Sequence, residues 1–436
     1  MSLFGPVLVV SDRHDRRLAA ALATAGAFPV IECPLAGAAP AIGRVRPAAV
    51  LFADPNAAAL QHPAESLVEA LDAAPAPFMP VMARVTDCGA TTLDVLPIQA
   101  AAPLEQLVAR LAWALRIRTL HATVLRRIDA LRRNGADVPA LTPSDPLEEA
   151  TILVVGRGRT YPPLAMAVGA RLGGLGAGLI GVVSVETAAR HLSTRDVDGV
   201  ILGDGFGPRT NAAFLTALME DARFRDLPVA VVPDIPPALD RARLCGLEPV
   251  GGGAPPEDII AHLLPLVRVH AFATRLRRHV AALDARGRID PHTGLSTVAA
   301  FWHKLPRTVA EARARGSAMS IARLRLPPEY GRRGRTDAAR LLGRLIGATD
   351  FACQDDDGAI IVVFAEQDLR HAHVVTRRIT AAVRDAVLEP GHHPMPGPKR
   401  STSGSQTTVT LACLNAADTP QSLVERVCEP SAIAAE

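Results

Sequence analysis

The feature that most narrows the fold of this chain is a repeat inside it. Val7-Leu8-Val9-Val10 returns as Ile152-Leu153-Val154-Val155. Val50-Leu51-Phe52-Ala53-Asp54 returns as Val200-Ile201-Leu202-Gly203-Asp204, and Pro80-Val81-Met82-Ala83-Arg84 as Pro228-Val229-Ala230-Val231-Val232. Even the closing helical stretches share letters, Ala122-Thr123-x-Leu125-Arg126-Arg127 and Ala273-Thr274-x-Leu276-Arg277-Arg278. An offset of about 145–151 residues marks an internal duplication.

Within each copy, short apolar runs of the buried parallel-strand kind alternate with helix-like segments. In the first copy the helical stretches are 16–25, a second before Ala49, 64–73 and one from Pro103. Such alternation predicts a doubly wound α/β domain, twice over. Each copy ends in a long helix, over 103–133 and 256–286, with Leu, Ile, Val and Ala at helical spacing and Arg on the other face. These read either as helices that leave the domain to pack on something, a partner's copy included, or as the ordinary last helix of the domain. Residues 134–149 form a mostly polar linker broken by Pro139, Pro143 and Pro146.

The 436 residues suit two to four domains, and 49% hydrophobic content supplies real cores. With aromatics at 3%, those cores are built from Ala, Leu, Val and Ile. A net charge of +3 is too small to argue for nucleic acid or a membrane surface. Cys33, Cys88, Cys245, Cys353, Cys413 and Cys428 have no metal-ligand spacing and suggest reduced thiols. The N-terminus runs straight into a strand without a charged-then-apolar leader, and no run of about 18 apolar residues appears. A cytoplasmic protein without a membrane span is the expectation.

The last third has an α+β texture. Helices are expected over 297–315, near 336–346, over 368–387 and near 421–427. Strands are expected over 319–326, 359–364 and 407–414, with a Pro/Gly/Ser loop over 392–406. Two stretches carry the chemistry. Ile289-Asp290-Pro291-His292-Thr293-Gly294-Leu295 is a helix stop, a Pro turn and a new start. Thr349 to Phe364 is an Asp/Gly-rich turn running into an apolar strand, with Asp356, Asp357, Gly358, Ala359 and Ile360 at its centre. Arg332-Arg333-Gly334-Arg335 is the one tight basic run and reads as a solvated loop, since it lacks interleaved aromatics. His392-His393 has no Cys or carboxylate at ligand spacing and reads as loop.

In this order the two stretches resemble the signatures of a GGDEF domain, the diguanylate cyclase fold. Asp290-Pro291-His292-Thr293-Gly294-Leu295 resembles the family's Asp-x-Leu-Thr-Gly-Leu opening, and Asp356-Asp357-Gly358-Ala359-Ile360 stands where its signature hairpin belongs. The duplicated front resembles a pair of response-regulator receiver domains, so the chain as a whole is similar to receiver–receiver–GGDEF response regulators. The implied architecture is two tandem flavodoxin-like domains followed by an α+β GGDEF-like domain. The boundaries are 1–118, a helix and linker over 119–149, 150–268, a connecting helix over 269–288, and 289–436.

The resemblance also says which chemistry is missing. A receiver needs an acidic pair after its first strand, an acceptor Asp after the third and a Lys before a Pro after the fifth. Here Ser11-Asp12 keeps half of one pair, and Gly156-Arg157 replaces the other. Asp54 and Asp204 lie one residue beyond the acceptor position and are the phosphoacceptor candidates; otherwise they are strand-end residues that cap the next turn. Gln99 and Gly252 fall at the Lys position, and the only lysines in the chain are Lys304 and Lys399.

Cyclic dinucleotide synthesis needs two metals held by carboxylates. The resemblance places Gly358 and Ala359 at the hairpin Asp and Glu, Arg323 and Arg325 near the first-strand acidic pair, and Thr297 at the guanine-reading Asn. The sequence stops at Glu436, before the family's late phosphate-contacting Lys. A shifted frame would make Asp356 or Asp357 a ligand; a solvated β-turn is the simpler reading. Asp350 matches the Asp of the product-inhibition motif, with Gly347 at its Arg and Arg344 one turn earlier, which makes Asp350 and Arg344 the ligand-binding candidates.

The expectation is therefore a non-catalytic scaffold or adaptor in a two-component or cyclic di-GMP pathway. It would act through protein surfaces as a homodimer, with no cofactor, metal or nucleic acid. Two alternatives are a diguanylate cyclase using GTP and Mg, and a cyclic di-GMP effector.

Overall fold

The computed structural model describes residues 5–54, 60, 62–74, 77–86, 93–133, 135, 138, 140–141, 144–159, 161–232, 246–250, 254–386 and 407–428. Gly252, Cys88, Cys245, His392, His393 and Lys399 lie outside them. By internal contacts the chain divides into two units. The first is Met1–Ala130 with Thr142–Arg277, and the second is Leu131–Leu141 with Arg278–Glu436.

The first unit holds both copies of the repeat. In the first copy the strands are β1 (Val7–Val10), β2 (Val30–Cys33), β3 (Ala49–Phe52), β4 (Val81–Val85) and β5 (Leu96–Gln99). The helices are α1 (Arg16–Thr24), α2 (Ala38–Val45), α3 (Glu65–Asp72) and α4 (Leu104–Arg133). All strand pairs are parallel, in the order β2-β1-β3-β4-β5. β1 and β3 are buried along their whole length, as a sheet covered by helices on both faces requires.

The second copy repeats this with β6 (Thr151–Val155), β7 (Gly178–Val182), β8 (Gly199–Leu202), β9 (Val229–Val231) and β10 (Leu247–Pro249). Its helices are α5 (Tyr161–Gly173), α6 (Val185–Thr194), α7 (Pro208–Glu220) and α8 (Pro256–Asp284). Read from β7 to β10 the sheet order is again 2-1-3-4-5, the flavodoxin-like winding. The duplication in sequence is thus a duplication in topology. Strands β5 and β10 escape the apolar-run signal because Pro97 and Pro249 interrupt it. Both are edge strands, where a residue without an N–H is tolerated.

The second unit contains α9 (Val298–Arg315), β11 (Ser320–Arg325), α10 (Gly331–Leu345), β12 (Phe351–Gln354), β13 (Ile360–Phe364), α11 (Leu369–Ala386), β14 (Thr408–Cys413) and α12 (Pro420–Cys428). From β11 to β14 this is a β-α-β-β-α-β chain. Its four antiparallel strands are ordered β12-β13-β11-β14, so each crossover passes over one strand. Alternation along β11 divides two cores. Ala322 and Leu324 join Leu342, Phe364 and Ile379 on the α10–α11 side, while Ile321 joins Phe301, Leu305 and Leu423 on the α9–α12 side.

One expectation fails here. The basic run is not a loop; Arg332 to Arg335 form the first turn of α10, which starts five residues before its expected position. The apolar stripe there opens on the buried Gly334, which carries no hydrophobic signal, before Ala338, Leu341 and Leu342. Asp337 then faces Arg333 at i,i+4 and Arg340 at i,i+3.

Among the described residues one helix, Pro256–Asp284, is long and apolar enough to cross a membrane by length and composition, and the apolar window is 61% buried. It is a core helix of the second copy: Ile259, Leu263 and Val267 pack against the β6–β9 sheet.

Candidate functional site

The hairpin between β12 and β13 is built by its own carboxylates. Asp355 N–H donates to Ala359 O (2.9 Å) and Gly358 N–H to Asp355 O (3.0 Å). Ala359 N–H then donates to both Asp355 Oδ1 and Asp357 Oδ1, each at 3.0 Å. Gly358 has φ +82°, a conformation that favours glycine, and a Cβ there would stand 2.7 Å from Arg335 Nη1, which would have to swing aside. Asp356 is exposed at the tip, whereas Ala359 and Ile360 are buried in the sheet.

Facing this turn is β11. Its Arg323 lies opposite Ile361 of β13 and Thr410 of β14, with little exposure. Its Nη2 reaches Asp357 Oδ2 at 2.5 Å and Asp355 Oδ2 at 3.2 Å, and its Nε reaches Asp355 Oδ2 at 3.3 Å. Arg325 adds a contact to Asp357 Oδ2 at 3.3 Å. Burial works against the charge on Arg323, but its hydrogen bonds to the two carboxylates and their negative charge outweigh it and raise its pKa. Burial pushes Asp355 up to about 6, helped by the neighbouring Asp357 carboxyl and opposed by Arg323. The adjacent Asp355 carboxyl holds Asp357 well below the usual carboxylate range, with Ala359 N–H and Arg323 assisting against burial.

This donor set does not fit a divalent metal pair. β11 presents two guanidinium groups to the hairpin, and those groups already engage its acids. Among the described residues no cluster of three or more His, Cys, Asp or Glu could hold a metal ion.

Elsewhere the residues singled out from sequence are mostly occupied. Asp350 is buried, and its carboxylate accepts from Gly347 N–H (3.1 Å), Ala365 N–H (3.1 Å) and Gln367 Nε2 (3.4 Å). It ties the turn before β12 to the end of β13. Arg344 lies in the last turn of α10, and the donors to the Asp350 carboxylate come from Gly347, Ala365 and Gln367 instead. Asp290 folds its own turn, accepting from Thr293 Oγ1 (2.6 Å), Thr293 N–H and His292 N–H. Gly294 follows at φ +74°. Thr297 accepts from Ala300 N–H and so caps α9.

The crevices at the carboxyl ends of the two parallel sheets differ. In the first, Asp54 Oδ2 accepts from Ser11 Oγ (3.0 Å) and Asp12 N–H (2.7 Å), closing the β1 and β3 ends together. In the second, Asp204 O accepts from the N–H groups of Arg157 and Gly158, while Arg157 Nε donates to Gly205 O (2.7 Å) and its guanidinium lies over Phe206. A Cβ on Gly158 would meet the Asp204 carboxylate at 2.3 Å. Gln99 donates from Nε2 to Pro249 O.

Sequence reasoning missed Asp355, which shares Arg323 with Asp357, and missed the contact between the two α/β copies. There Arg110 is fully buried against Glu248, donates to Pro97 O (2.5 Å) and Leu247 O (3.2 Å), and is joined by Gln106 Nε2 on Leu247 O (2.8 Å). The available signal was a pair of polar residues at i,i+4, Gln106 and Arg110, flanked by Leu107, Leu111 and Ala114 on the buried stripe of α4.

No family model and no curated protein matches the chain. Solved structures of GGDEF domains do match part of it. The coiled-coil and GGDEF region of DgcB from Caulobacter crescentus aligns at 20% identity over 35% of this chain and 83% of that one, with a TM-score of 0.27. The FimX GGDEF domain from Pseudomonas aeruginosa aligns at 18% identity over 32% of this chain and 89% of that one, with a TM-score of 0.26. A D-lactate dehydrogenase from Lactobacillus jensenii aligns at 14% identity over 64% of this chain and 97% of that one, with a TM-score of 0.17. With identities and TM-scores this low, the likenesses carry no functional weight.

Proposed function

We propose that this protein is a non-catalytic member of a cyclic di-GMP or two-component signalling circuit, an adaptor that works through its surfaces as a homodimer. The observation that carries this reading is the ion cluster at the β12–β13 hairpin. Two metals that neutralise triphosphate charge need converging free carboxylates. Asp355 and Asp357 converge, but on Arg323 and Arg325. A guanidinium neutralises the acids without offering the exchangeable ligand positions that a polarised hydroxyl requires.

The front half supports the same reading. Asp54 is held by Ser11 and Asp12, Arg157 and Gly158 stand beside Asp204, and Gln99 cannot replace a lysine as a cation on phosphoryl oxygens. Asp350 supports the adaptor over a cyclic di-GMP effector, because its acceptor capacity is spent on backbone and Gln367 donors. The DgcB structure was determined in complex with c-di-GMP, so that ligand is the one to test first.

The test is incubation of the purified chain with GTP and Mg²⁺, product chromatography, and calorimetric titration with cyclic di-GMP. The expected result is no product and no binding heat. Turnover to cyclic di-GMP overturns the reading. Micromolar cyclic di-GMP binding without turnover replaces it with the effector. Light scattering tests the dimer.

A further inference from the structure

The first α/β copy has a cavity of about 380 Å³ at the end of the sheet away from Asp54. It opens between the C-terminal ends of α2 and α3 and is closed by Met79, before β4, and Arg118 of α4. Its apolar walls are Ile42, Pro47, Met79, Ala70 of α3, and Ala73 and Ala74 just after that helix. Its polar groups are two guanidiniums, Arg46 at the mouth and Arg118 within, and no carboxylate lines it.

Neither arginine has an acidic partner among the described residues. Arg118 Nη1 donates to the carbonyls of Pro77 (2.8 Å) and Phe78 (3.0 Å), which fixes the group without neutralising it. Burial lowers the pKa of Arg118, as expected for a desolvated cation without a counter-charge. The neighbouring loop cannot supply one, because residues 73–77 read Ala-Ala-Pro-Ala-Pro. Arg46 closes α2 in the left-handed conformation, φ +49°, with its N–H donating to Ile42 O, so its backbone is set and its side chain is exposed.

We propose that this cavity binds a small amphipathic organic anion, its carboxylate on Arg46 and Arg118 and its apolar body against Ile42, Met79 and Ala70. The volume falls in the range of small-molecule sites, and a planar guanidinium grips a carboxylate through paired N–H donors. The site is separate from the hairpin and from both crevices. The competing role for the same arginines is to balance the carbonyl ends of α2 and α3.

The experiment titrates the full chain with octanoate and with octanol, by calorimetry. Two variants accompany the wild type. Arg46→Met removes the exposed cation and keeps its stem. Gly43→Leu fills the mouth and removes no charge; a Cβ at Gly43 meets nothing within 4 Å, and glycine is the poorer helix former there. Saturable 1:1 octanoate binding is expected, with octanol weaker by about tenfold or more. Arg46→Met weakens octanoate by about tenfold, and Gly43→Leu abolishes binding with an unchanged melting temperature. Absence of saturable binding, equal affinity for octanol, or octanoate affinity unchanged in both variants overturns the proposal.

Discussion

Two arginine clusters in this chain use the same chemistry at different depths. Arg110 and Glu248 are 0% and 1% exposed and join the two α/β copies. Arg323 is 10% exposed, but its partner Asp357 is 47% exposed and water reaches the cluster. In the first, both charges have lost their hydration and each is a liability without the other. In the second, solvent compensates part of any loss. The same pairing is a structural lock at one depth and an adjustable charge arrangement at the other.

The largest expected effect follows from the deep pair. Arg110→Met leaves the buried Glu248 with His262 Nδ1, 3.5 Å from its Oε2, as its one nearby cationic group among the described residues, and should lower unfolding free energy by about 3–5 kcal/mol in denaturant titration. Arg110→Met with Glu248→Met should recover most of that loss. If the double variant is as unstable as the single one, the ion pair is not the cause. At the hairpin, Arg323→Met should cost less, about 1–3 kcal/mol, by removing the cation that Asp355 and Asp357 share. Equal losses at the two sites would erase the contrast.

The hairpin also has a pH signature. Asp355 is raised from its unfolded value to about 6, so its contribution is fully present below the unfolded pKa and is lost as pH rises through about 6. Asp357 is lowered, so its contribution is present above the unfolded pKa and is lost only on further acidification. Stability should therefore fall between about pH 4 and pH 6 through Asp355, and Asp355→Asn should flatten that slope. A slope that survives the substitution belongs to other groups. The smallest effect is at the turn: Gly358→Ala, strained at φ +82° and pressed on Arg335, should cost about 1 kcal/mol in thermal unfolding.

The sequence made the two parallel sheets legible because a strand buried on both faces must be continuously apolar, as Val50 to Phe52 and Val200 to Leu202 are. It hid β5 and β10, whose prolines read as breaks, and the start of α10, whose buried Gly334 reads as neither apolar nor polar. The candidate site was half legible. Arg323, Arg325, Gly358 and Ala359 could be named as losses. That Asp355 and Asp357 turn inward onto the arginines depends on the register of β11 with β13, which pairs Leu324 with Ile360 and which single-residue reading cannot supply. The Arg110–Glu248 contact spans well over a hundred positions and left only a polar pair on an apolar stripe.

The edge prolines have a further consequence, for the chain as it is being made. The first α/β copy emerges before the second, and until then β5 is a bare sheet edge. An unprotected edge recruits another chain's strand. Pro97 withholds a donor there, and Pro249 does so on the edge that later meets it. Side-chain amides, Gln99 on Pro249 O and Gln106 on Leu247 O, then make the junction that backbone pairing would otherwise have made. Along these two edges the sheets of five are kept from zipping into one of ten, and neighbouring nascent chains on one messenger find a broken ladder there.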